Sequence, residues 1–273
     1  MSGDRICAVL GSPIDHSLSP ELHRAAYREL GLDWSYQRHR VEESELAGFV
    51  AGLDPRWRGL SLTMPLKVVA LDLGEPDELV TRVGAANTLV LGWDGEPHRL
   101  HNTDVGGLVG AIRATGVDRI ERAVVLGSGA TTRSTLASLA LLGCQEVTVI
   151  ARTPAKAEAL APLAEACGLR LRILGWGAEL STTDLLVSTV TAGAADAMAP
   201  AAAERARLVF DVLYDPWPTV LAQQAEARGV PVVSGLDLLA HQAVEQVELM
   251  TGQRVDPAVL VATGRAALAA RAG

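Results

Sequence analysis

The sequence contains very little lysine. Only two of its 24 basic residues, Lys67 and Lys156, are lysines, and the others are arginines. Lysine differs from arginine in one chemical respect, because its ammonium group can release a proton near neutral pH when its surroundings disfavour the charge. Most lysines are solvated surface charges. In a chain that otherwise uses arginine, each of these two positions is nevertheless a candidate for a specific role.

Other absences exclude whole classes of protein. No run of 18 uncharged apolar residues is present, so no membrane-spanning helix is expected. The net charge of −8 argues against a nucleic-acid-binding face. The first residues lack the pattern of a secretory signal, and the three cysteines show no metal or disulfide spacing. Six scattered histidines predict no metal site. We therefore expect a cytoplasmic protein without membrane or nucleic-acid partners.

The chain shows two successive α/β patterns. Short strands and helices alternate up to about residue 104, and Asp94-Gly95 is typical of a hairpin turn. Beyond residue 105, strands separated by helix-length segments predict βαβ units and a parallel sheet. The segment from Leu236 onward is helical, with one break at Asp256-Pro257, and has no strand to join.

These patterns predict an α/β fold with two domains. We expect an N-terminal α/β domain of residues 1–104 and C-terminal helices, residues 236–273, that pack back on it or bridge both domains. Residues 105–235 are expected to form a Rossmann-type doubly wound parallel sheet. The predicted strands are 6–11, 34–41, 57–63, 87–92, 98–104, 123–127, 147–151, 169–174, 184–190, 207–214 and 230–233, and the predicted helices before residue 236 are 19–31, 43–53, 131–142, 154–166 and 217–228.

A glycine-rich turn opens the second domain. Gly127 and Gly129 follow a buried-type strand and precede a helix. The first glycine permits the tight turn, and the second lets a pyrophosphate approach the N-terminus of the helix. The third glycine of the dinucleotide fingerprint is replaced by Thr132. A purely structural turn stays possible, but the strand and helix spacing favours nucleotide binding.

The end of the next strand indicates which nucleotide is bound. NAD sites usually carry an acidic residue there for the ribose hydroxyl, whereas this chain has Ala151, Arg152, Thr153 and Lys156. An arginine can pair a 2′-phosphate bidentately. The two cations could instead be solvated charges at a helix start, but cations there oppose the helix dipole. The sequence therefore favours NADP over NAD.

The first domain carries a set of polar side chains at predicted strand ends and loops. Ser17 and Ser19 precede a helix, and in an extended segment their side chains would point the same way; Ser19 could alternatively cap that helix. Further along the chain come Thr63, Lys67, Asn87 and the Asn102-Thr103-Asp104 segment. Hydroxyls, amides, one carboxylate and one lysine suit a ligand that bears several hydroxyl groups.

At these motifs the chain resembles the shikimate dehydrogenase family. The matching segments are GSPIDHSLSPELH, SLTMPLK, GAANT, HNTDVGG, DVLYDPWPT and GLDLLAHQA, in the family's order over almost the whole chain. The resemblance implies reversible, NADPH-dependent reduction of 3-dehydroshikimate to shikimate in aromatic amino-acid biosynthesis, by a monomer or a homodimer. It also implies that Lys67 is the general acid–base and that Asp104 orients the substrate and Lys67.

The resemblance assigns further binding residues. It places the substrate on Ser17, Ser19, Thr63, Lys67, Asn87, Asp104, Tyr214 and Gln242. It places NADP on the 127–133 turn, with Gly127, Ser128, Gly129, Ala130, Thr131 and Arg133, and on Arg152, Thr153, Lys156, Thr189, Leu213 and Gly235.

Two positions depart from the family pattern. The glycine turn usually reads GAGGA and here reads GSGAT, and the clamp Asn-Arg-Thr here begins with Ala151. The lost asparagine removes a hydrogen-bonding side chain near the ribose phosphate, so we expect weaker NADP binding and some use of NAD. Two alternatives stay open: a quinate/shikimate dehydrogenase with relaxed cofactor choice, and a non-catalytic NADP-binding sensor. The intact Lys67, Asn87 and Asp104 argue against the sensor.

Overall fold

The computed structural model describes residues 4–272. The chain divides into two compact units: the first contains residues up to Gly107 and from Leu239 onward, and the second is Leu108–Leu238. Within the described residues, no helix is both long and apolar enough to cross a membrane.

The first unit is built on a six-stranded mixed sheet. Its strand order is β2-β1-β3-β5-β6-β4. β1, β2 and β3 are mutually parallel where they pair, whereas β5 is antiparallel to both β3 and β6. The strands are β1 (Arg5–Gly11), β2 (Trp34–Arg40), β3 (Trp57–Leu62), β4 (Glu75–Pro76), β5 (Thr88–Val90) and β6 (Arg99–His101).

Local sequence explains several of the first unit's boundaries. Pro20 lies in the first turn of the first helix, where its missing N–H costs nothing, and Gly31 follows the helix with φ of +66°. Asp94 and Gly95 both have positive φ, as a type I′ turn between β5 and β6 requires. The helices before residue 114 are α1 (Ser19–Glu29), α2 (Leu46–Ala51), α3 (Glu78–Val83) and α4 (Thr103–Arg113).

The second unit contains a six-stranded sheet in which every pair is parallel. Its order is β12-β11-β10-β7-β8-β9. The strands are β7 (Arg122–Leu126), β8 (Glu146–Ala151), β9 (Arg170–Gly175), β10 (Thr183–Ser188), β11 (Ala206–Asp211) and β12 (Val232–Ser234). The helices are α5 (Ala130–Leu141), α6 (Pro154–Ala157), α7 (Ala161–Ala166), α8 (Ala199–Arg205) and α9 (Val220–Glu226).

The second sheet is buried on both faces. Val125 and Val149 belong to one apolar cluster, and their neighbours Val124 and Ile150 belong to another. Because successive residues of a strand point to opposite faces, the two clusters cover the two sides of the sheet. This arrangement confirms the predicted doubly wound parallel sheet.

Two C-terminal helices, α10 (Gly235–Thr251) and α11 (Pro257–Ala272), complete the chain. Pro257 starts α11, as the predicted break requires. Arg271 donates a hydrogen bond to the backbone oxygen of His16, 2.8 Å away, and lies 3.4 Å from Glu21. The C-terminal helices therefore pack on the first unit, as predicted.

Several details differ from the sequence-based expectations. The sequence reading missed the short strand β4 and the helix α3, and it extended the strand at β6 through Asp104, whereas the structure starts α4 at Thr103. The predicted helix 43–53 begins as a 3-10 turn, and the predicted helix 154–166 is split by another. The two units separate inside α4 and α10, a few residues beyond the predicted boundaries, because both helices continue across the division.

Candidate active site

One edge of the first sheet gathers the polar motifs of the first unit. The C-terminal ends of β1, β3 and β6 lie at the edge where antiparallel β5 begins. Backbone hydrogen bonds fasten the loops there, from Leu62 N to Asn87 O at 2.7 Å and from Thr63 N to Leu10 O at 3.0 Å. The pairing of the strands therefore holds residues that are distant in sequence together at this edge. Ligands of open α/β sheets commonly bind at the carboxyl ends of the strands.

Lys67 and Asp104 form an ion pair at this edge. Lys67 lies in the turn after β3, and its Nζ is 2.5 Å from Asp104 Oδ2. The lysine side chain is 15% exposed and the aspartate side chain 7%. The backbone oxygen of Lys67 also accepts the N–H of Ala86 at 2.8 Å, which ties the lysine turn to the segment containing Asn87. The pair is desolvated but reachable from one side.

The other oxygen of Asp104 is held by an amide. Asn87 Nδ2 donates to Asp104 Oδ1 at 2.8 Å, and Asn87 Oδ1 accepts the backbone N–H of Thr103 at 2.8 Å. Gln242, from α10, lies 3.3 Å from both Asn87 Nδ2 and Thr103 Oγ1 through its Oε1. Asn87, Asp104 and Gln242 are all buried. The structure therefore brings together four of the predicted substrate-binding residues: Lys67, Asn87, Asp104 and Gln242.

Asp104 was expected on a strand end or loop and instead lies in the first turn of α4. A carboxylate at that place is favoured by the helix dipole. Gly106 and Gly107 follow Val105 in α4, and α10 packs directly on them. A Cβ on Gly106 would meet the carboxyl group of Glu245, and a Cβ on Gly107 would lie 2.7 Å from Gln242 Cβ. The glycines therefore allow the close approach that places Gln242 beside Asn87.

The hydroxyl-bearing residues predicted to bind the substrate, Ser17, Ser19 and Thr63, follow β1 and β3, and the backbone of the serine segment differs from the prediction. The segment before α1 is not extended, because Leu18 has helical dihedrals and Ser19 is the first helical residue. Leu18 and not Ser19 is the N-cap residue, so the alternative reading of Ser19 as the helix cap is wrong. Ser17 Oγ accepts the Ser19 backbone N–H at 3.3 Å. Thr63 directly follows β3. Within residues 4–272, no hydrogen bond joins Ser17, Ser19 or Thr63 to the Lys67–Asp104 pair, and these hydroxyls stay available to a ligand.

The glycine turn of the second unit has the backbone that its sequence predicts. Gly127 has φ of +113°, and a Cβ there would lie 2.4 Å from Thr189 Oγ1. Thr189 donates to Leu126 O at 2.8 Å and lies 2.9 Å from the hydroxyl of buried Thr132. Gly129, the N-cap of α5, has no atom within 4 Å of an added Cβ. Thr132 thus stands in place of the third glycine, and its hydroxyl pairs with that of Thr189. The space beside Gly129 is open.

Two cations face the cavity beside this turn. The cavity has a volume of about 440 Å³, and its lining includes Gly127, Arg152, Lys156 and Thr189. Arg152 and Lys156 are exposed, and among residues 4–272 neither side chain forms a hydrogen bond or an ion pair. Unpaired cations beside an open helix N-terminus fit a ligand with several phosphates. The residues present are therefore suited to a phosphorylated dinucleotide.

The remaining predicted cofactor residues divide between two places. Ser128, Ala130, Thr131 and Arg133 lie on the glycine turn and the first turns of α5, and Thr153 lines the cavity. Partial burial lowers the pKa of Arg133 from its usual value. The segment after β11 contains Leu213 and Tyr214, and Leu213 O accepts the N–H of Gly235 at 2.9 Å. Tyr214 belongs to the second unit, whereas the other residues assigned to the substrate belong to the first.

The sequence reading missed the residues behind Asn87. Gln246, Ser61 and Thr88 are buried and hydrogen-bonded to one another or to Asn87. A signal for Gln246 was present, because it lies four residues after Gln242 and therefore on the same face of a helix. No comparable signal marks Ser61, whose strand reads simply as apolar.

The fold and the two sites define a class of protein: a dehydrogenase with a Rossmann-type nucleotide unit and a separate unit that carries a buried lysine–aspartate pair. Family models narrow the class. Residues 9–89 match the shikimate dehydrogenase substrate binding domain, and residues 235–263 match the shikimate 5'-dehydrogenase C-terminal domain.

Whole-chain comparisons agree with the family models. The shikimate dehydrogenase (NADP(+)) of Methanosarcina mazei is 37% identical over 91% of this chain and 93% of its own length. The crystal structure of Mycobacterium tuberculosis shikimate dehydrogenase is 40% identical, with a TM-score of 0.89 over 96% of this chain and 99% of that one. The Thermus thermophilus enzyme in complex with NADP(H) and shikimate is 34% identical, with a TM-score of 0.84 and coverage of 96% and 99%. The chain belongs to the shikimate dehydrogenase family.

Proposed function

We propose that this protein catalyses the reversible, NADPH-dependent reduction of 3-dehydroshikimate to shikimate. The observation that carries the proposal is the buried Lys67–Asp104 ion pair, which is held by Asn87 at a ligand-binding edge of the first sheet. Family membership supports the same substrate, since relatives along the whole chain are shikimate dehydrogenases that use NADP.

Lys67 is the residue that moves a proton. In the direction of reduction its ammonium group donates a proton to the carbonyl oxygen as that oxygen gains negative charge, and in oxidation the neutral amine accepts it. Asp104 holds Nζ in one position and keeps the Lys67 side chain from rotating away. Arginine could not replace this lysine, because a guanidinium does not release its proton.

The polar groups around the pair bind the substrate. Asn87 and Gln242 are assigned to the ring hydroxyls, and Ser17, Ser19 and Thr63 are assigned to the rest of the substrate from the adjoining loops. Tyr214 is assigned to the substrate from the second unit. Apart from Tyr214, substrate binding is thereby assigned to residues 1–104 and 236–273, and cofactor binding to residues 105–235. The active form is a monomer or a homodimer.

NADPH, when bound, supplies the hydride. The turn 127–133 would hold its pyrophosphate, with backbone N–H groups at the start of α5 as donors. Arg152, Thr153 and Lys156 would hold the 2′-phosphate, and Thr189, Leu213 and Gly235 would line the nicotinamide end. Because the cofactor carries the redox chemistry, the protein's own part is to position both reactants and to manage one proton.

One assay tests the proposal against its alternatives. The purified protein is incubated with shikimate or quinate, each with NADP⁺ or NAD⁺, and formation of the reduced nucleotide is followed at 340 nm (the usual absorbance band). Turnover of shikimate with NADP⁺ is expected to be the fastest of the four combinations. Faster turnover of quinate with NAD⁺ would instead indicate a relaxed quinate/shikimate enzyme. No turnover with any combination, from protein that still binds NADPH, would indicate the sensor.

A further inference from the structure

A chain of buried polar groups runs through the core of the first unit to the catalytic pair. Tyr36 Oη donates to Ser61 Oγ at 2.6 Å, and Ser61 Oγ donates to Gln246 Oε1 at 2.7 Å. Gln246 Nε2 donates to Thr88 Oγ1 at 2.9 Å, and Thr88 Oγ1 donates to Asn87 Oδ1 at 2.9 Å. All five residues are at most 5% exposed. We call Tyr36, Ser61, Gln246, Thr88 and Asn87 the amide relay.

The direction of every hydrogen bond in the relay is determined by one backbone oxygen. Gln246 Nε2 also lies 3.2 Å from the carbonyl oxygen of Asn87, which can only accept a hydrogen bond. The NH₂ group of Gln246 must therefore face Thr88 and Asn87, and its Oε1 must face Ser61. Because the Thr88 hydroxyl accepts from Gln246, its own proton is directed to Asn87 Oδ1.

The orientation of the Gln246 amide also determines the tautomer of His23. Its Nε2 lies 3.2 Å from Gln246 Oε1, which can only accept, so the Nε2–H tautomer is the one that fits. His23 is fully buried, stacked on Tyr36 with ring centroids 4.0 Å apart. Complete burial lowers the pKa of His23 to about 3, although the hydrogen bond that its Nε2–H donates to Gln246 opposes this. A neutral His23 therefore supports the orientation of the Gln246 amide.

The relay ends at the group that holds Asp104. With Asn87 Oδ1 occupied by Thr88 and by the backbone N–H of Thr103, the amide cannot flip without placing NH₂ against two donors. Its Nδ2 is thus kept on Asp104 Oδ1, while Lys67 binds the opposite oxygen. The hydrogen bonds of the core therefore determine how Asp104 presents itself to Lys67.

We propose that Gln246 and Thr88 are positioning residues of the reaction: they lock the Asn87 amide in the one orientation that holds Asp104, and through it Lys67, in place. This inference rests on the proposed function for its kinetic consequence. Neither residue touches the Lys67–Asp104 pair, and each acts through Asn87. If Gln246 and Thr88 only packed in the core, any side chain of the right volume would serve at these positions. A positioning residue also needs its hydrogen-bond donor.

The sharpest kinetic test uses a matched pair at position 88. Thr88→Val keeps the shape and the β-branch but removes the hydroxyl, and Thr88→Ser keeps the hydroxyl. We expect Thr88→Val to lower kcat about tenfold, the order of one lost buried hydrogen bond at a reacting group, with an unchanged KM for NADPH. Thr88→Ser should restore most of that kcat. Gln246→Met, which keeps the length of the side chain without its donor, should resemble Thr88→Val.

A second readout does not depend on turnover. Because the chain has only two lysines, protein labelled with ¹³C-lysine gives two ε-carbon NMR signals, from Lys67 and Lys156. Thr88→Val and Gln246→Met should shift the Lys67 signal and leave the exposed Lys156 signal in place. Tyr27→Phe is the control for a change in the same core, since Tyr27 is buried near Tyr36 but its hydroxyl is outside the relay. It should shift neither lysine signal.

The outcomes separate the inference from the proposed function. A wild-type protein that turns over no shikimate would overturn the proposed function, and the lysine spectra would still decide the role of the relay. A Thr88→Val protein that folds, keeps the wild-type kcat and keeps the Lys67 signal unshifted would overturn the relay. Equal losses in Thr88→Val and Thr88→Ser would also overturn it, since packing rather than the hydroxyl would then explain them.

Discussion

The two sites of this protein are built in opposite ways. In the first unit, Lys67, Asp104 and Asn87 are closed into a buried set of hydrogen bonds in which the protein itself satisfies nearly every polar atom. In the second, Arg152 and Lys156 are exposed beside an open cavity, and among residues 4–272 their side chains have no protein partner.

The difference fits the role that we propose for each site. A group that transfers a proton has to be in position before the substrate arrives, so its geometry is fixed by the core. Cations that recognise a phosphate gain most when the ligand is their only partner, because no internal ion pair must first be broken. Changes in the first site should therefore affect kcat and stability, and changes in the second should affect only the binding of the nucleotide.

Removing the carboxylate should break the closed site most severely. The Asp104→Asn change removes the charged partner of Lys67. The new side chain has only one acceptor oxygen, so Lys67 Nζ and Asn87 Nδ2 can no longer each bind a separate oxygen. We expect kcat to fall about 10²-fold, the usual cost of misplacing a reacting group by about an ångström. Steady-state kinetics with shikimate and NADP⁺ measure this. Asp118→Asn, at an exposed loop position, is the control, and an equal loss there would contradict the assignment.

Acid should weaken the closed site through His23. Its pKa is lowered from 6.5 to about 3 by burial, so the unfolded chain takes up a proton at a pH where the folded protein does not. Stability is fully present above pH 6.5 and is lost as the pH falls toward 3. Between pH 7 and 5, wild type should lose about 2 kcal/mol relative to His23→Gln, which cannot titrate. Urea unfolding at several pH values measures the difference, and parallel curves for the two proteins would refute the prediction.

Substitutions in the open site, which contains Arg152 and Lys156, should change only the binding of the phosphorylated nucleotide. Arg152→Ala should raise the KM for NADPH at least about tenfold, the value of one charge-assisted hydrogen bond, and change the KM for NADH little. Unfolding should be little affected, since the exposed Arg152 side chain forms no hydrogen bond or ion pair within the described residues. Arg172→Ala, an exposed arginine on β9, should leave both constants unchanged. Equal effects of Arg152→Ala on the two nucleotides would remove the phosphate role.

The smallest expected effect is a change in stability with pH that comes from Glu245, next to the closed site. The pKa of Glu245 is raised to about 7, mainly by burial; Arg254 opposes the shift, and Glu248 and Asp104 add to it. For an acid with a raised folded pKa, stability falls as the pH rises from about 4.5 to 7. Wild type should therefore lose about 1 kcal/mol relative to Glu245→Gln between pH 5 and 7, after allowance for partial exposure. Thermal unfolding across this range checks the sign, which an opposite trend would contradict.

Much of the open site could be predicted from sequence because its features are local. The turn at Gly127 and the cations at Arg152 and Lys156 each lie within a few residues of the strand or helix that they follow or precede. The Asp94-Gly95 turn of the first unit is local in the same sense. Local patterns such as a strand followed by glycines and a helix need no knowledge of the rest of the fold.

The closed site could be predicted only in part, since its contacts join distant segments. The composition indicated Lys67, but its partner is 37 residues away, and the bond between Gln246 and Ser61 spans 185. Helix α4 was missed because Gly106 and Gly107 are poor helix formers, and only the packing of α10 against them shows why they are there. Tertiary packing, rather than local preference, decided these features.

The most direct test of the account is the turnover of Lys67→Ala. With shikimate and NADP⁺, kcat should fall by about 10²- to 10⁴-fold, the usual contribution of general acid–base catalysis, while the KM for shikimate changes modestly. The folded state of the variant is checked by NADPH binding, which depends on the second unit. A correctly folded Lys67→Ala protein with a kcat near that of wild type would contradict the role of Lys67 as the proton-transferring group.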